Sequence, residues 1–151
     1  MITIDTPGIE SQASSHETQK PVRPRVLLAD DRDVLLTRVK SVLKSDFELV
    51  GAVNDGRALV LEAERLRPDL IVLDISMPIL NGIDAAHEIH EALPEIKLVF
   101  LTVHTNSEFV RACFAEGGLG YVNKARLGTD LIPAMNEALL GHSFVSPSIP
   151  R

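Results

Sequence analysis

The chain has 151 residues, 45% of them apolar, with a formal net charge of −6 and a pI near 5.3. This composition suits one globular domain of ordinary size and excludes a wholly disordered or fibrous chain. The acidic balance argues against direct contact with nucleic acid, and no apolar run approaches the roughly 18 residues of a membrane span.

Residues 1–24 stand apart. Gln12-Ala13-Ser14-Ser15-His16-Glu17-Thr18-Gln19-Lys20 is polar, and Pro21 and Pro24 close the stretch. It has too little apolar surface to offset its ordering entropy, so a disordered leader is expected. It also lacks the charged-then-apolar pattern of a signal peptide. The single cysteine, Cys113, allows no intrachain disulfide. A reducing, cytoplasmic setting is the expectation.

From residue 25 the pattern alternates. Val26-Leu27-Leu28-Ala29 reads as a buried strand. Residues 33–44 carry Leu35, Val39 and Val42 at helical spacing. Leu49–Val53 is a second strand, and 56–66 a second helix that stops before Pro68. Leu70-Ile71-Val72-Leu73 is the most continuous apolar run and reads as a central strand ending at Asp74. A turn with Pro78 and Gly82 follows, then a helix to about Ala92. Leu98–Leu101 is a fourth strand ending at Thr102. Thr105-Asn106-Ser107-Glu108 has capping-box spacing and opens a fourth helix, closed by Gly117 and Gly118. Gly120–Asn123 is a short fifth strand leading to Lys124. The last helix is expected from about Asp130 to Leu140, with Pro133 near its first turn. Residues 142–151 read as a tail.

Five strand–helix units in strict alternation imply a parallel α/β sheet with helices on both faces, in one domain over 25–141. Such sheets place their sites beyond the carboxyl ends of the strands. Asp30, Asp31, Asp74, Thr102 and Lys124 each follow a predicted strand, so they are expected on one rim. Taken singly, each has a plainer role: helix caps for Asp30 and Asp31, a turn residue at Asp74, an ordinary strand-end Thr102, a solvated Lys124. Taken together, three carboxylates need a cation, and an oxygen-only set suits Mg²⁺. A carboxylate and an ammonium aimed at one point suit a transferred phosphoryl group, with the carboxylate as nucleophile and the hydroxyl of Thr102 as a hydrogen-bonding partner.

The runs Leu28-Ala29-Asp30-Asp31, Leu73-Asp74-Ile75-Ser76-Met77-Pro78-Ile79-Leu80-Asn81-Gly82, Leu101-Thr102 and Gly120-Tyr121-Val122-Asn123-Lys124 resemble the receiver domains of bacterial two-component response regulators. The Leu139-Leu140-Gly141-His142-Ser143-Phe144-Val145-Ser146-Pro147 ending is similar to the NarL/FixJ branch. The resemblance implies a flavodoxin-like, five-stranded (βα)5 fold and an aspartyl phosphate on Asp74. It implies Mg²⁺ held directly by Asp31 and through water by Asp30, with Asp74 and the Ser76 carbonyl as further ligands. Lys124 would pair with the phosphoryl group, Thr102 would turn toward it, and Tyr121 would swing inward behind it. A histidine kinase or phosphotransfer protein would be the donor. The role is that of a signalling switch rather than a dedicated enzyme.

One position departs from the usual pattern, and a pair of others bears on phosphoryl lifetime. Receivers often have proline after the lysine, where this chain has Ala125; a non-proline cis bond costs about 2.5–4 kcal/mol, so a trans bond is expected. Ser76 and His104, two residues beyond Asp74 and Thr102, border the path of a hydrolytic water in such receivers, so His104 is expected to tune the phosphoryl lifetime. The branch usually continues into a DNA-binding helix-turn-helix, which this sequence does not contain before Arg151. A stand-alone receiver is therefore expected, read by a downstream protein partner, without direct DNA contact. A phosphorylation-dependent homodimer is a further expectation, with the switching surface at residues 105–140. Two alternatives remain: a Mg²⁺-dependent phosphohydrolase, against which Ser76 counts because such enzymes place a second Asp there, and an interaction module that is never phosphorylated.

Overall fold

The computed structural model describes residues 22–149. Most of the leader, residues 1–21, lies outside them, as do residues 150 and 151. The chain runs β1 (Arg25–Ala29), α1 (Asp33–Leu43), β2 (Glu48–Val53), α2 (Gly56–Leu66), β3 (Leu70–Leu73), α3 (Gly82–Ala92), β4 (Lys97–Thr102), α4 (Ser107–Ala115), β5 (Gly118–Asn123), α5 (Leu127–Leu139) and β6 (Phe144–Val145). A 3-10 turn, Lys124–Arg126, joins β5 to α5. The strands form one parallel sheet in the order β2-β1-β3-β4-β5-β6.

Strand alternation builds the two layers. Leu27, Ala29, Ile71, Leu73, Leu98, Phe100 and Tyr121 face one way and pack with α2, α3 and α4. Val26, Leu28, Leu70, Val72, Val99, Leu101 and Val122 face the other way and pack with α1 and α5. Because both faces are covered, the central strands read as continuous apolar runs rather than as alternating ones. β3 is buried at all four positions. It lies between β1 and β4, which sets Asp74 at the centre of the carboxyl rim.

Several boundaries differ from the sequence reading. The expected five strands are six: Phe144 pairs with Gly120 and Val145 with Tyr121, so part of the expected tail is an edge strand. Val145 and Ile149 are 7% and 4% exposed, and burying two such side chains contributes about 3–6 kcal/mol. The last helix begins three residues before Asp130, which makes Pro133 an interior residue. Its missing N–H leaves the Thr129 carbonyl without its helical donor. The cap of α4 is Asn106, which accepts from the Glu108 N–H at 2.7 Å; Thr105 is not the cap. β5 starts at Gly118, two residues earlier than expected. Among the described residues no peptide bond is cis, as expected at Lys124–Ala125, and no helix is long and apolar enough to cross a membrane.

Candidate functional site

β1 and β3 are adjacent and parallel, with Ala29 beside Leu73. The residues that follow them are therefore neighbours, and the Asp74 N–H donates to the Ala29 carbonyl at 3.1 Å. Asp30 and Asp74 are 2% and 4% exposed, and Thr102 is fully buried. Asp30, Asp31 and Asp74 each offer a carboxylate oxygen within 4.8 Å of the others; Asp31 is the exposed member. Neither Asp30 nor Asp31 caps α1, whose cap residue is Arg32 without a side-chain bond.

Lys124 enters from the turn after β5. Its Nζ lies 2.8 Å from Asp30 Oδ2 and 2.8 Å from Asp74 Oδ2. It donates a hydrogen bond to Asp74, while its contact with Asp30 is an ion pair without good hydrogen-bond alignment. Asp74 Oδ1 accepts from the Ile75 N–H at 2.6 Å, and Asp30 Oδ1 from the Arg32 N–H at 2.9 Å. Asp30 Oδ2 is thus a buried carboxylate oxygen without a hydrogen bond among the described residues. Burial lifts the Asp30 carboxyl above its ordinary value, against the lowering pull of Lys124. Burial lowers the Lys124 ammonium, but the two carboxylates outweigh this and hold it above its ordinary value.

A second set closes the mouth. Ser76 Oγ and His104 Nε2 are 2.8 Å apart. The His104 ring stacks on Phe109 with centroids 4.5 Å apart. Thr102 is not joined to Asp74 or Lys124 by any hydrogen bond among the described residues; its Oγ1 accepts from the His104 N–H at 3.3 Å. Tyr121 sits inward, fully buried, and its hydroxyl donates to the His104 carbonyl at 2.9 Å. Burial pushes that phenol well above its ordinary value. Thr102 and Tyr121 therefore both meet the backbone of His104, which links them to the site.

A recess of about 140 Å³ is lined by Asp31, Arg32, Asp74, Ser76, Val103, His104 and Lys124. A larger cleft of about 610 Å³ shares Asp31, Ser76 and His104 but lacks Asp74 and Lys124. Asp74 and Lys124 meet in the smaller one, which is therefore the candidate site. Gly82 shapes it from below: a Cβ there would lie 1.9 Å from the Asp74 carbonyl oxygen, and its N–H donates to the Ile75 carbonyl at 2.7 Å. The sequence reading did not single out Asn123, Asp130 or Ser146, which are bonded together behind Lys124. The pair of a bulky aromatic and a β-branched residue at Phe144-Val145 was the available signal for a strand there. Cys113 is buried, and burial pushes its thiol up to about 12, so it is an inert core residue.

Comparison with known proteins agrees with this fold. Residues 26–136 match the family model described as the response regulator receiver domain. The chain is 35% identical over 122 residues to the transcriptional regulatory protein YxjL of Bacillus subtilis, covering 80% of this chain and 56% of that protein. A LuxR-family two-component response regulator from Aurantimonas superposes with a TM-score of 0.81 at 25% identity, covering 85% of this chain and 93% of the other. The isolated REC domain of RcsB from Salmonella enterica, solved with the phosphomimetic BeF3⁻, superposes with a TM-score of 0.78 at 26% identity, covering 85% and 96%. The chain spans little more than half the length of the curated relatives it matches. Relatives named as transcriptional regulators run against the expectation of no DNA contact, which rested on charge and sequence content, and they lend no support to stand-alone status. The match over residues 26–136, well over half of the chain, with an acid cluster and a lysine on the carboxyl rim of the sheet, establishes that this chain belongs to the response regulator receiver domain family of two-component systems.

Proposed function

We propose that the chain accepts a phosphoryl group on Asp74 and acts as a signalling switch. The observation that carries this reading is the Lys124 ammonium, 2.8 Å from both Asp30 and Asp74, with Lys124 and Asp74 lining one small recess. The Asp74 carboxylate attacks phosphorus; the bond from phosphorus to the donor breaks, and its electron pair leaves with the donor. Lys124 meets the added negative charge, and because it is already in place it needs little reorganisation. Thr102 turns its hydroxyl toward the phosphoryl oxygens, which moves the His104 backbone it now contacts. Tyr121, bonded to the same backbone, carries the change into β5.

The acid cluster fits a hard cation. Three carboxylates with one lysine leave net negative charge, and the only group that meets the buried Asp30 Oδ2 among the described residues is the ammonium it shares with Asp74. Asp30, Asp31, Asp74 and the Ser76 carbonyl would hold Mg²⁺, which when bound neutralises charge on the phosphoryl oxygens.

Ser76 and His104 stand together at the mouth, and we assign them control of how long the phosphoryl group survives hydrolysis. Receiver domains interact with histidine kinases, which are the proposed donors, directly or through a phosphotransfer protein. The proposed output is a protein contact on α4, β5 and α5, with a downstream partner or a second copy. The test is intact mass after treatment with acetyl phosphate and Mg²⁺, beside Asp74→Ala. One Mg²⁺-dependent phosphoryl group, absent from the variant, is the expected result. Failure to gain it in the folded wild type overturns the reading and favours an unphosphorylated interaction module.

A further inference from the structure

Behind the Lys124 turn lies a buried polar node that the phosphoryl chemistry above does not use. Asp130, in the first turn of α5, is 5% exposed, and Ser146, just after β6, is 1% exposed. The Ser146 hydroxyl donates to Asp130 Oδ2 at 2.7 Å and accepts from the Asn123 N–H at 3.0 Å. The Ser146 N–H donates to the Tyr121 carbonyl at 2.9 Å. Asp130 also receives Arg126 Nε at 2.8 Å, Arg126 Nη2 at 3.3 Å and the Thr129 hydroxyl at 3.2 Å.

Asn123 and Arg126 are the first and last residues of the segment that carries Lys124. Both are bonded into this node, one through its backbone and the other through its guanidinium. Asn123 further accepts from the Ala125 N–H at 3.0 Å and donates to the Ser148 hydroxyl at 3.3 Å. The turn is therefore gripped at both ends, and the grip comes from α5 and from the segment after β6. A buried carboxylate is costly unless its partners are complete. Burial raises the Asp130 carboxyl, and its bonds to Arg126, Ser146 and Thr129 outweigh this and hold it below its ordinary value. Such a network keeps a unique geometry, and reaction rates are sensitive to displacements of about 1 Å.

We propose that Asp130 and Ser146 are positioning residues for Lys124: they clamp residues 123–126 so that the ammonium stays on Asp74, which makes the segment 144–149 part of the phosphoryl-accepting apparatus. This rests on Lys124 being the cationic partner of the phosphoryl group. The carboxylates of Asp30, Asp31 and Asp74 are carried by other loops, so loosening the clamp separates the lysine's role from the metal's.

The test uses the full chain with Ser146→Ala and, separately, Asp130→Asn, which keeps the side chain's shape if the first variant does not fold. Three quantities are measured: the initial rate of phosphoryl uptake from acetyl phosphate, Mg²⁺ affinity by calorimetry without donor, and the melting temperature. The expected result is a rate lower by about tenfold, the effect of one lost charge-assisted contact. Mg²⁺ affinity stays within about twofold or tightens, since Lys124 competes less for the same carboxylates. A folded variant whose rate matches the wild type overturns the proposal. So does a rate that falls in step with Mg²⁺ affinity, because that is general damage to the rim. A wild type that takes no phosphoryl group refutes the reading of Asp74 instead.

Discussion

Lys124→Ala removes the cation that two buried carboxylates share. The side chains of Lys124, Asp30 and Asp74 are 11%, 3% and 5% exposed, so little solvent screening remains to replace it. Carboxylate oxygens of Asp30 and Asp74 lie within 4.8 Å of each other, where two like charges at an effective dielectric near 20 repel by about 3.5 kcal/mol. Removing one partner of a buried pair costs about 3–5 kcal/mol. We expect a loss of about 3 kcal/mol near neutral pH, or roughly 10 °C in melting temperature for a chain of this size. The loss must depend on pH. Burial and the Asp74 charge already raise the Asp30 carboxyl, and Lys124 opposes them; without it the folded-state pKa climbs further. A carboxyl raised in the folded state contributes its stability below the unfolded value, 3.8, and loses it as pH rises through the folded one. The deficit therefore grows as pH rises above the unfolded value, so a melt at about pH 7.5 should show a larger deficit than one at about pH 5. Mg²⁺ works the other way: a ligand of the folded state alone adds about 2.7 kcal/mol at a hundred times its Kd, and the variant has no ammonium to displace. Thermal melts of both proteins at the two pH values, in chelator and in excess Mg²⁺, check each step. Equal melting in chelator near pH 7.5, or a deficit that is flat with pH and blind to Mg²⁺, would refute the charge argument.

Other substitutions probe the frame around the site. His104→Ala removes the ring that meets Ser76 at 2.8 Å; the phosphoryl lifetime, followed by mass after donor removal, should shorten about three- to tenfold, close to 1 kcal/mol of barrier. An unchanged lifetime ends that assignment. Gly82→Ala sets a Cβ at 1.9 Å from the Asp74 carbonyl oxygen; relief requires the backbone to move, so denaturant melts should show a loss of about 3 kcal/mol or more, with slower phosphoryl uptake. A loss under about 1 kcal/mol contradicts the close approach. Ile79 has φ 72 and is 81% exposed, a conformation that costs a β-branched residue about 1–2 kcal/mol. Ile79→Gly should therefore raise stability by about 0.5–1 kcal/mol after the entropic cost of glycine, and any destabilisation shows that the strain is not there.

The fold was legible where burial dictates residue type. β3 is buried at every position, so its apolar run could not belong to a surface element. α1 buries Leu35 and Val39 from the stripe that helical spacing marks, with Leu36 and Leu43 beside it, while Val42 is half-buried. Legibility failed where short local signals compete. Thr105 and Asn106 are both good caps by type, and local sequence does not choose between them; the structure has Asn106. A proline usually reads as the edge of a helix, yet α5 carries Pro133 inside because the buried Leu127, Leu131, Ala134, Met135 and Ala138 hold that helix from its first residue. β6 is two residues long, below any useful period. Its stability comes from pairing with β5 and from Val145 and Ile149 entering the core, neither of which is visible locally.

The site divides in the same way. Asp30, Asp31, Asp74 and Lys124 could be gathered from sequence because a parallel sheet sends every strand's carboxyl end to one rim, and the structure does bring these four together. The arrangement of Thr102 and Tyr121 could not be read that way, since it depends on a shared contact with the backbone of His104. Asp130 and Ser146 were hidden for a further reason: one is an ordinary acid in a first helical turn, the other an ordinary serine before a proline, and only burial makes them informative. A solvent-exposed Asp130–Arg126 pair would contribute little. At 5% exposure, with a serine hydroxyl 2.7 Å away that also accepts from Asn123, the same carboxylate needs its partners, and those partners reach both ends of the turn that carries Lys124. The rim chemistry and the packing of the last strand are thus one problem. Changes in residues 144–149 should reach Asp74 through Lys124 without touching an acid of the site.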